Sequence, residues 1–460
     1  MKKAVQQILM VTVLLIFAGC KKDKENKYFS GTQTQTTPWP EWIFHHWVWE
    51  DEGTTASAKQ LVADYQAHGI PVGAIIIDSP WETGYNTFQT DTTLYPDVKG
   101  MVDYFHSQNV KVLFWITGII DTNVHPLYDY ADSHNYFMKQ SASGGPVVQS
   151  WWKGKGSIID WYNPDAVSWW QGLMDTTLAL GIDGWKCDGT DFYCAFAQYS
   201  PALGTTIPNK NDYSDRYYRI FHDYTREKLG IDRVIMSRPI DNYGYGDLGG
   251  DAFAFTPKNI GWSCWVGDQD ATFTGMSKAL NNMYQSDLYG YLGFGSDIGG
   301  YRTDNNYPAT GRSKELFLRW AELGAFCGLM ENGGGGEHRP WMFDQQTTDV
   351  YKRFVLLREQ MVPYLMKTAS ARYAEGRAMM NFISESDYSY MLGDDVFVTP
   401  ILQTGGIATV KFPVGSNWVY LFDKGQVHAG GSTQTVILPL NEFPVYIKQG
   451  SSLLDTLTPE

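Results

Sequence analysis

Between Gly184 and Tyr193 the chain reads GWKCDGTDFY, which sets Lys186, Asp188 and Asp191 close together beside Trp185 and Phe192. A solvated loop has no need of those aromatics. A buried strand tolerates the charges only when they are paired or put to work. Other apolar runs end in the same manner. IIIDSPW ends its run in Asp78, VLFWITG in Trp115, IMSRP in Arg238, CWVGD in Asp268 and GFGSDIGG in Asp297. Carboxylates gathered at one mouth repel each other. A functional pocket explains the recurrence better than a structural ion-pair network does.

The elements that position these residues alternate. TASAKQLVADYQAHG, VKGMVDYFHSQN, PDAVSWWQGLMDTTLALG, SDRYYRIFHDYTREKLG and GMSKALNNMYQSDLYG read as helices. Between them VGAIIID, VKVLFWITG, IDGWKCD, RVIMSRP and LGFGSDIGG read as buried strands, and WIFHHWVW reads as a first strand. Strand–helix alternation predicts parallel strands with helical crossovers, with enough units to close a (β/α)8 TIM barrel. In such barrels chemistry sits at the C-terminal strand ends, where the carboxylates fall. After the long helix VYKRFVLLREQMVPYLMKTASARYAEG the texture changes to short alternating strands, such as ATVKFPVGSNWVYLF and FPVYIKQGSSLL. That pattern predicts a C-terminal antiparallel β-sandwich. The expected fold is thus α/β, with the barrel over residues 40–375 and the sandwich over 376–460.

The 460 residues include 17 Trp and 29 Tyr, and aromatics make up 15% of the chain. Aromatic faces hold sugar rings, and they also fill large cores. A formal net charge of −14 argues against nucleic acid or an anionic membrane surface as the main partner. At the N-terminus, Lys2 and Lys3 precede the short apolar run ILMVTVLLIF and then FAGC. This predicts a lipoprotein signal over residues 1–20, lipidation of Cys20 and anchoring in a bacterial cell envelope, at the outer membrane or facing the periplasm. Residues 21–39 read as a polar tether. Cys187, Cys194, Cys264 and Cys327 match no zinc spacing and read as buried free thiols. No metal-ligand cluster is visible.

From about residue 38 to 452 the ordered motifs resemble glycoside hydrolase family 31, the retaining α-glucosidases, α-xylosidases and α-galactosidases. The resemblance rests on IIIDSPWETGYNTFQTDTTLYPD, WWKGKGSIIDWYNPDAVSWW, GIDGWKCDGTD, SRP…WVGD, GSDIGGY, ELFLRWAELGAF and FPVYIKQGS. It implies Asp188 as nucleophile and Asp268 as acid/base. It further implies Asp78, Asp297 and Arg238 on sugar hydroxyls, Trp115 and Trp265 lining the pocket, and no metal or organic cofactor. Asp191 stands where the family has Glu, and K-C-D stands where it has W-x-D. MENGGGGEHRPW replaces the family's Arg-x-His and brings in His338 as a candidate. The chemistry agrees, because glycoside hydrolysis needs one ionised and one protonated carboxyl across the scissile bond. Lys186 is expected to keep Asp188 ionised, while Trp262, Trp265 and Val266 are expected to raise Asp268. Lys186 and Asp188 share a strand face, and a similar Lys-x-Asp in α-galactosidase families tilts the expected sugar toward galactose over glucose. The substrate is then an oligosaccharide or glycan. An α-transglycosylase and an inactive glycan-binding lipoprotein remain open alternatives.

Overall fold

A computed structural model describes residues 37–189, 198–207, 210–238 and 256–459. Eight parallel strands form one sheet: β1 (His46–Glu50), β2 (Ala74–Ile77), β3 (Lys111–Ile116), β4 (Gly184–Cys187), β5 (Val234–Ser237), β6 (Ser263–Trp265), β7 (Phe294–Gly295) and β8 (Met330–Asn332). Their order is β7-β6-β5-β4-β3-β2-β1-β8. A parallel bridge between Asp297 and Glu331 brings the two ends of the sheet together. The strands are short and apolar because helices cover the outer face and side chains fill the interior. β2 reads AIII and is buried throughout.

The expected helices form at Thr55–Ala67, Val98–Ser107, Pro164–Leu178, Lys210–Leu229 and Phe273–Leu288. Local chemistry fixes their starts. Asn163 Oδ1 accepts from the amides of Asp165 and Ala166, and Pro164 occupies the first helical position, where no N–H is needed. The reading of WIFHHWVW as one strand is corrected. Glu41–Phe44 is a 3-10 turn, and the strand begins only at His46. Trp42, Ile43 and Phe44 are all buried. A strand would turn alternate side chains outward, whereas one tight turn folds three successive apolar groups against the barrel.

Between β3 and the helix Pro164–Leu178 lies a small antiparallel sheet of Ile119–Asp121, Gly154–Ile158 and Gln149–Trp151. Its tight connection carries Trp152 and Lys153. The C-terminal part is antiparallel throughout, with a six-stranded sheet beginning at Met380–Phe382 and a separate pair, Ile407–Lys411 with Thr433–Ile437. Phe397, Val410, Phe412, Trp418, Tyr420 and Tyr446 form a core of its own there. Arg319, on the helix Lys314–Ala325, ties the two parts together: it pairs with Glu322 at 2.9 Å and donates to the carbonyls of Leu438 and Glu442. No helix among the described residues is long and apolar enough to cross a membrane.

Candidate active site

Asp188 follows β4 directly, and its backbone N–H donates to the Ile116 carbonyl at 2.9 Å, which pins it at the strand end. Its Oδ2 accepts from Trp115 Nε1 at 2.9 Å, and its Oδ1 lies 2.5 Å from Arg238 Nη2. The same guanidinium reaches Asp268, with Nη1 donating to Oδ1 at 2.9 Å. One planar fork thus spans the two expected catalytic carboxyls, a geometry that arginine supports and lysine does not. Asp268 is therefore not set in purely apolar surroundings, as expected from Trp262, Trp265 and Val266. Those three side chains are buried, but the Asp268 carboxyl also meets the Arg238 guanidinium.

Lys186 faces the same interior. Its partner is Asp78, at 2.7 Å, while Arg238 and Trp115 rather than Lys186 are the direct partners of Asp188. The Lys186 ammonium sits 3.5 Å from the Trp49 ring centre and 5.2 Å from that of Trp265. Burial works to lower its affinity for the proton, but the carboxyls of Asp78, Asp297, Glu331 and Asp188 outweigh that and hold it above its ordinary value. Burial pushes the Asp78 carboxyl up, with Lys186 acting against it. Trp265 also lies under Arg238, whose Cζ is 5.4 Å from its ring centre. Gly189, at φ +72°, packs where a Cβ would stand 2.5 Å from the Trp152 ring, so the residue after the nucleophile candidate has to be glycine.

Asp297 and Glu331 are both buried to within about one per cent. Burial first, and the Glu331 charge second, push Asp297 well above the usual carboxylate range. Burial raises Glu331 as well. His338 is buried with its ring nitrogens 3.2 Å from Asn332 Oδ1 and 3.0 Å from the Gly335 carbonyl oxygen. Its ring thus engages its own Gly-rich loop, and burial, with Arg312 nearby, holds it neutral far below its ordinary pKa. Asp191, Cys194 and Cys20 lie outside the described residues. Cys187 and Cys327 are free thiols and buried, as expected, and Cys264 is buried beside Ser237. No group of metal-ligating side chains stands together among the described residues.

Residues 36–368 match the glycosyl hydrolases family 31 TIM-barrel domain, and residues 366–453 match the glycosyl hydrolase family 31 C-terminal domain. The chain belongs to glycosyl hydrolase family 31. It is 23% identical to an alpha-xylosidase of Emericella nidulans, over 90% of this chain and 53% of that protein. It is likewise 23% identical to alpha-glucosidase 2 of Bacillus thermoamyloliquefaciens, over 95% of this chain and 56% of that protein. The chain therefore spans little more than half the length of these relatives. A soil-metagenome GH31 alpha-xylosidase complexed with xylose shares the fold at a TM-score of 0.76 and 20% identity, covering 91% of this chain and 65% of that one. A cycloalternan-forming enzyme from Listeria monocytogenes, in complex with a pentasaccharide substrate, does so at 0.75 and 22%, covering 90% and 42%.

Within the family 31 framework, sequence reading missed Trp49, Glu331 and Tyr301. Trp49 Nε1 donates to Glu331 Oε2 at 2.7 Å, its ring stacks on Tyr301, and Tyr301 donates to Asp51 at 3.1 Å. Glu331 was open to detection, since it sits within an apolar strand, as Lys186 does in β4. It also lies in MENGGGGEHRPW, where this chain departs from the family's Arg-x-His.

Proposed function

We propose that this chain is a retaining α-glycosidase that removes terminal α-linked sugars, with Asp188 as nucleophile and Asp268 as general acid/base. The observation that carries the reading is the single Arg238 fork on both carboxyls. It keeps them on one cation, as suits a retaining mechanism, in which the two carboxyls stand roughly 5–5.5 Å apart. Trp115 and Arg238 hold Asp188 aimed. Asp268 needs a proton before it can serve the leaving group. More carboxyls than cations crowd this pocket (Asp78, Asp188, Asp268, Asp297 and Glu331 around Lys186 and Arg238), and that excess of negative charge favours proton uptake. The acid protonates the glycosidic oxygen as Asp188 attacks the anomeric carbon. It then takes a proton from the water that frees the sugar.

Lys186 supports a preference for galactose-configured over glucose-configured substrates, as a buried cation able to donate to hydroxyls on one side of the ring. The test compares p-nitrophenyl α-galactoside, α-N-acetylgalactosaminide, α-glucoside and α-xyloside on the wild type and Lys186→Met. The wild type is expected to prefer a galacto-configured substrate, and the variant to shift the ratios. Preference for the glucoside, or unchanged ratios, rejects this part of the reading. A transglycosylase reading draws on a relative from Sporosarcina globispora named isomaltosyltransferase, 24% identical over 96% of this chain. Products longer than the donor, formed with a sugar acceptor present, decide for it. The FAGC motif supports attachment to a bacterial envelope through Cys20. Mass spectrometry of the mature N-terminus is expected to find acylated Cys20, and a mature chain starting elsewhere rejects the anchor.

A further inference from the structure

The barrel closes between β7 and β8, and it closes on two acids. Asp297 and Glu331 are bridge partners across this seam, and the Ile298 N–H donates to the Glu331 carbonyl at 3.3 Å. Neither side chain is more than 1% exposed. Glu331 Oε2 accepts from Trp49 Nε1. Apart from each other, Glu331 Oε1 and both Asp297 carboxyl oxygens have no hydrogen-bond partner among the described residues. Two ionised carboxylates at this depth would each carry a heavy desolvation cost and would repel one another.

The neighbouring charges do not neutralise both acids. From β4, Lys186 is already paired with Asp78. After β6, Asp268 is a further acid and supplies no cation. Arg312 donates to the carbonyls of Gly299 and Gly300 at 3.1 and 2.9 Å. On the helix Gln345–Ala374, Tyr351 is a buried phenol that burial keeps un-ionised, and its hydroxyl is engaged with His46. Against all of these the pair is left with two uncompensated carboxylates, and one shared proton halves that charge at the least cost.

We propose that Asp297 and Glu331 share one proton, with Glu331 the positioning residue that presents Asp297 to the sugar as a neutral acid. Asp297 O–H donates to Glu331 Oε1, Trp49 N–H donates to Glu331 Oε2, and the second Asp297 oxygen is left to accept a ligand hydroxyl. Every polar atom at the seam then has a partner once substrate is bound. The upward shift of both acids accords with this arrangement. The role toward the sugar rests on the glycosidase reading, whereas the shared proton does not.

Infrared difference spectroscopy at neutral pH tests the proton without any substrate. Wild type minus Glu331→Gln, and wild type minus Asp297→Asn, are each expected to show the C=O band of a protonated carboxyl lost in the variant. Other raised acids, such as Glu82 and Glu322, cancel in the difference. Absence of the band from either difference spectrum overturns the proposal, since a proton held by one acid alone would survive loss of the other. Kinetics on the preferred p-nitrophenyl glycoside supply the second readout. Asn at 297 copies the neutral acid, while Gln at 331 drives the charge onto Asp297. Glu331→Gln is therefore expected to lose about tenfold more kcat/KM than Asp297→Asn. The opposite ranking rejects the positioning role. If the wild type cleaves no glycoside, the glycosidase reading fails while the infrared result still decides the proton.

Discussion

Arg238 is 2% exposed and holds two carboxylates, which makes the paired acids separable by mutation. Removing either Asp188 or Asp268 leaves the buried guanidinium with the other, so neither change strands an unpaired cation. Both alanine variants are therefore expected to stay folded by circular dichroism. Asp268→Ala is expected to lose roughly 10²–10⁴-fold in kcat, the usual contribution of a positioned acid/base. Asp188→Ala is expected to lose at least as much, because the covalent step disappears. Azide added to Asp188→Gly reaches the anomeric carbon from the side the carboxylate has vacated, and the expected product is a glycosyl azide of inverted configuration. Normal turnover by Asp188→Ala, or an azide product of retained configuration, removes Asp188 from the nucleophile's place. At this scale the sequence was informative about residue types and poor about partners. Lys186 and Asp188 on one strand face followed from strand parity. That Lys186 would pair with Asp78, 108 positions away, depended on which strands adjoin, and no local pattern encodes that.

The barrel strands were legible because each ends an apolar run in a polar residue, and that break in composition marks the pocket mouth. What was not legible lay where a segment serves two elements. WIFHHWVW looked uniformly strand-like, yet its first half turns so that Trp42 stacks on Trp47 at 5.3 Å. The role of the Gly-rich stretch after β8 was not legible either, because its glycines are set by contact. A Cβ on Gly333 would stand 2.3 Å from the Trp49 ring. That ring stacks on Tyr301, carries Lys186 and donates to Glu331, so it has no free direction in which to move. Gly333→Ala is expected to destabilise the fold by about 1–3 kcal/mol in urea unfolding, as overpacking does. It is also expected to lower kcat/KM, because displacing Trp49 moves Lys186 and Glu331. Gly145→Ala, where a Cβ meets nothing within 4 Å, serves as the control. Equal midpoints and equal activity for the two variants contradict this account of the loop.

The face opposite the pocket holds the molecule together, as the N-terminal strand ends of such barrels do. Arg358, on the long helix Gln345–Ala374, donates to the carbonyls of Phe44 and Gly328 at 2.7 and 2.8 Å. On the same helix Tyr351 meets His46 at the start of β1, with Nε2 and the hydroxyl oxygen 2.7 Å apart. His46 Nδ1 lies 2.9 Å from the Pro71 carbonyl, so Nδ1 carries the proton and Nε2 accepts from Tyr351. His46 thus joins β1, the loop before β2 and the helix leading into the C-terminal sheets. Burial lowers its pKa from 6.5 to about 4. The native state resists protonation there, while the unfolded chain takes up a proton at the ordinary value. Between those two pH values the unfolded state binds more protons, so stability falls as pH falls through this window and levels off below it. From about pH 7 to about pH 4.5 this single group is expected to remove about 2–3 kcal/mol. Other groups titrate over the same range, so the drop has to be compared with that of His46→Asn, whose amide does not titrate. The variant is expected to be less stable at neutral pH and to lose about 2–3 kcal/mol less on acidification, measured by urea unfolding at both pH values. Equal acid losses in the two proteins would mean that His46 does not link barrel stability to pH.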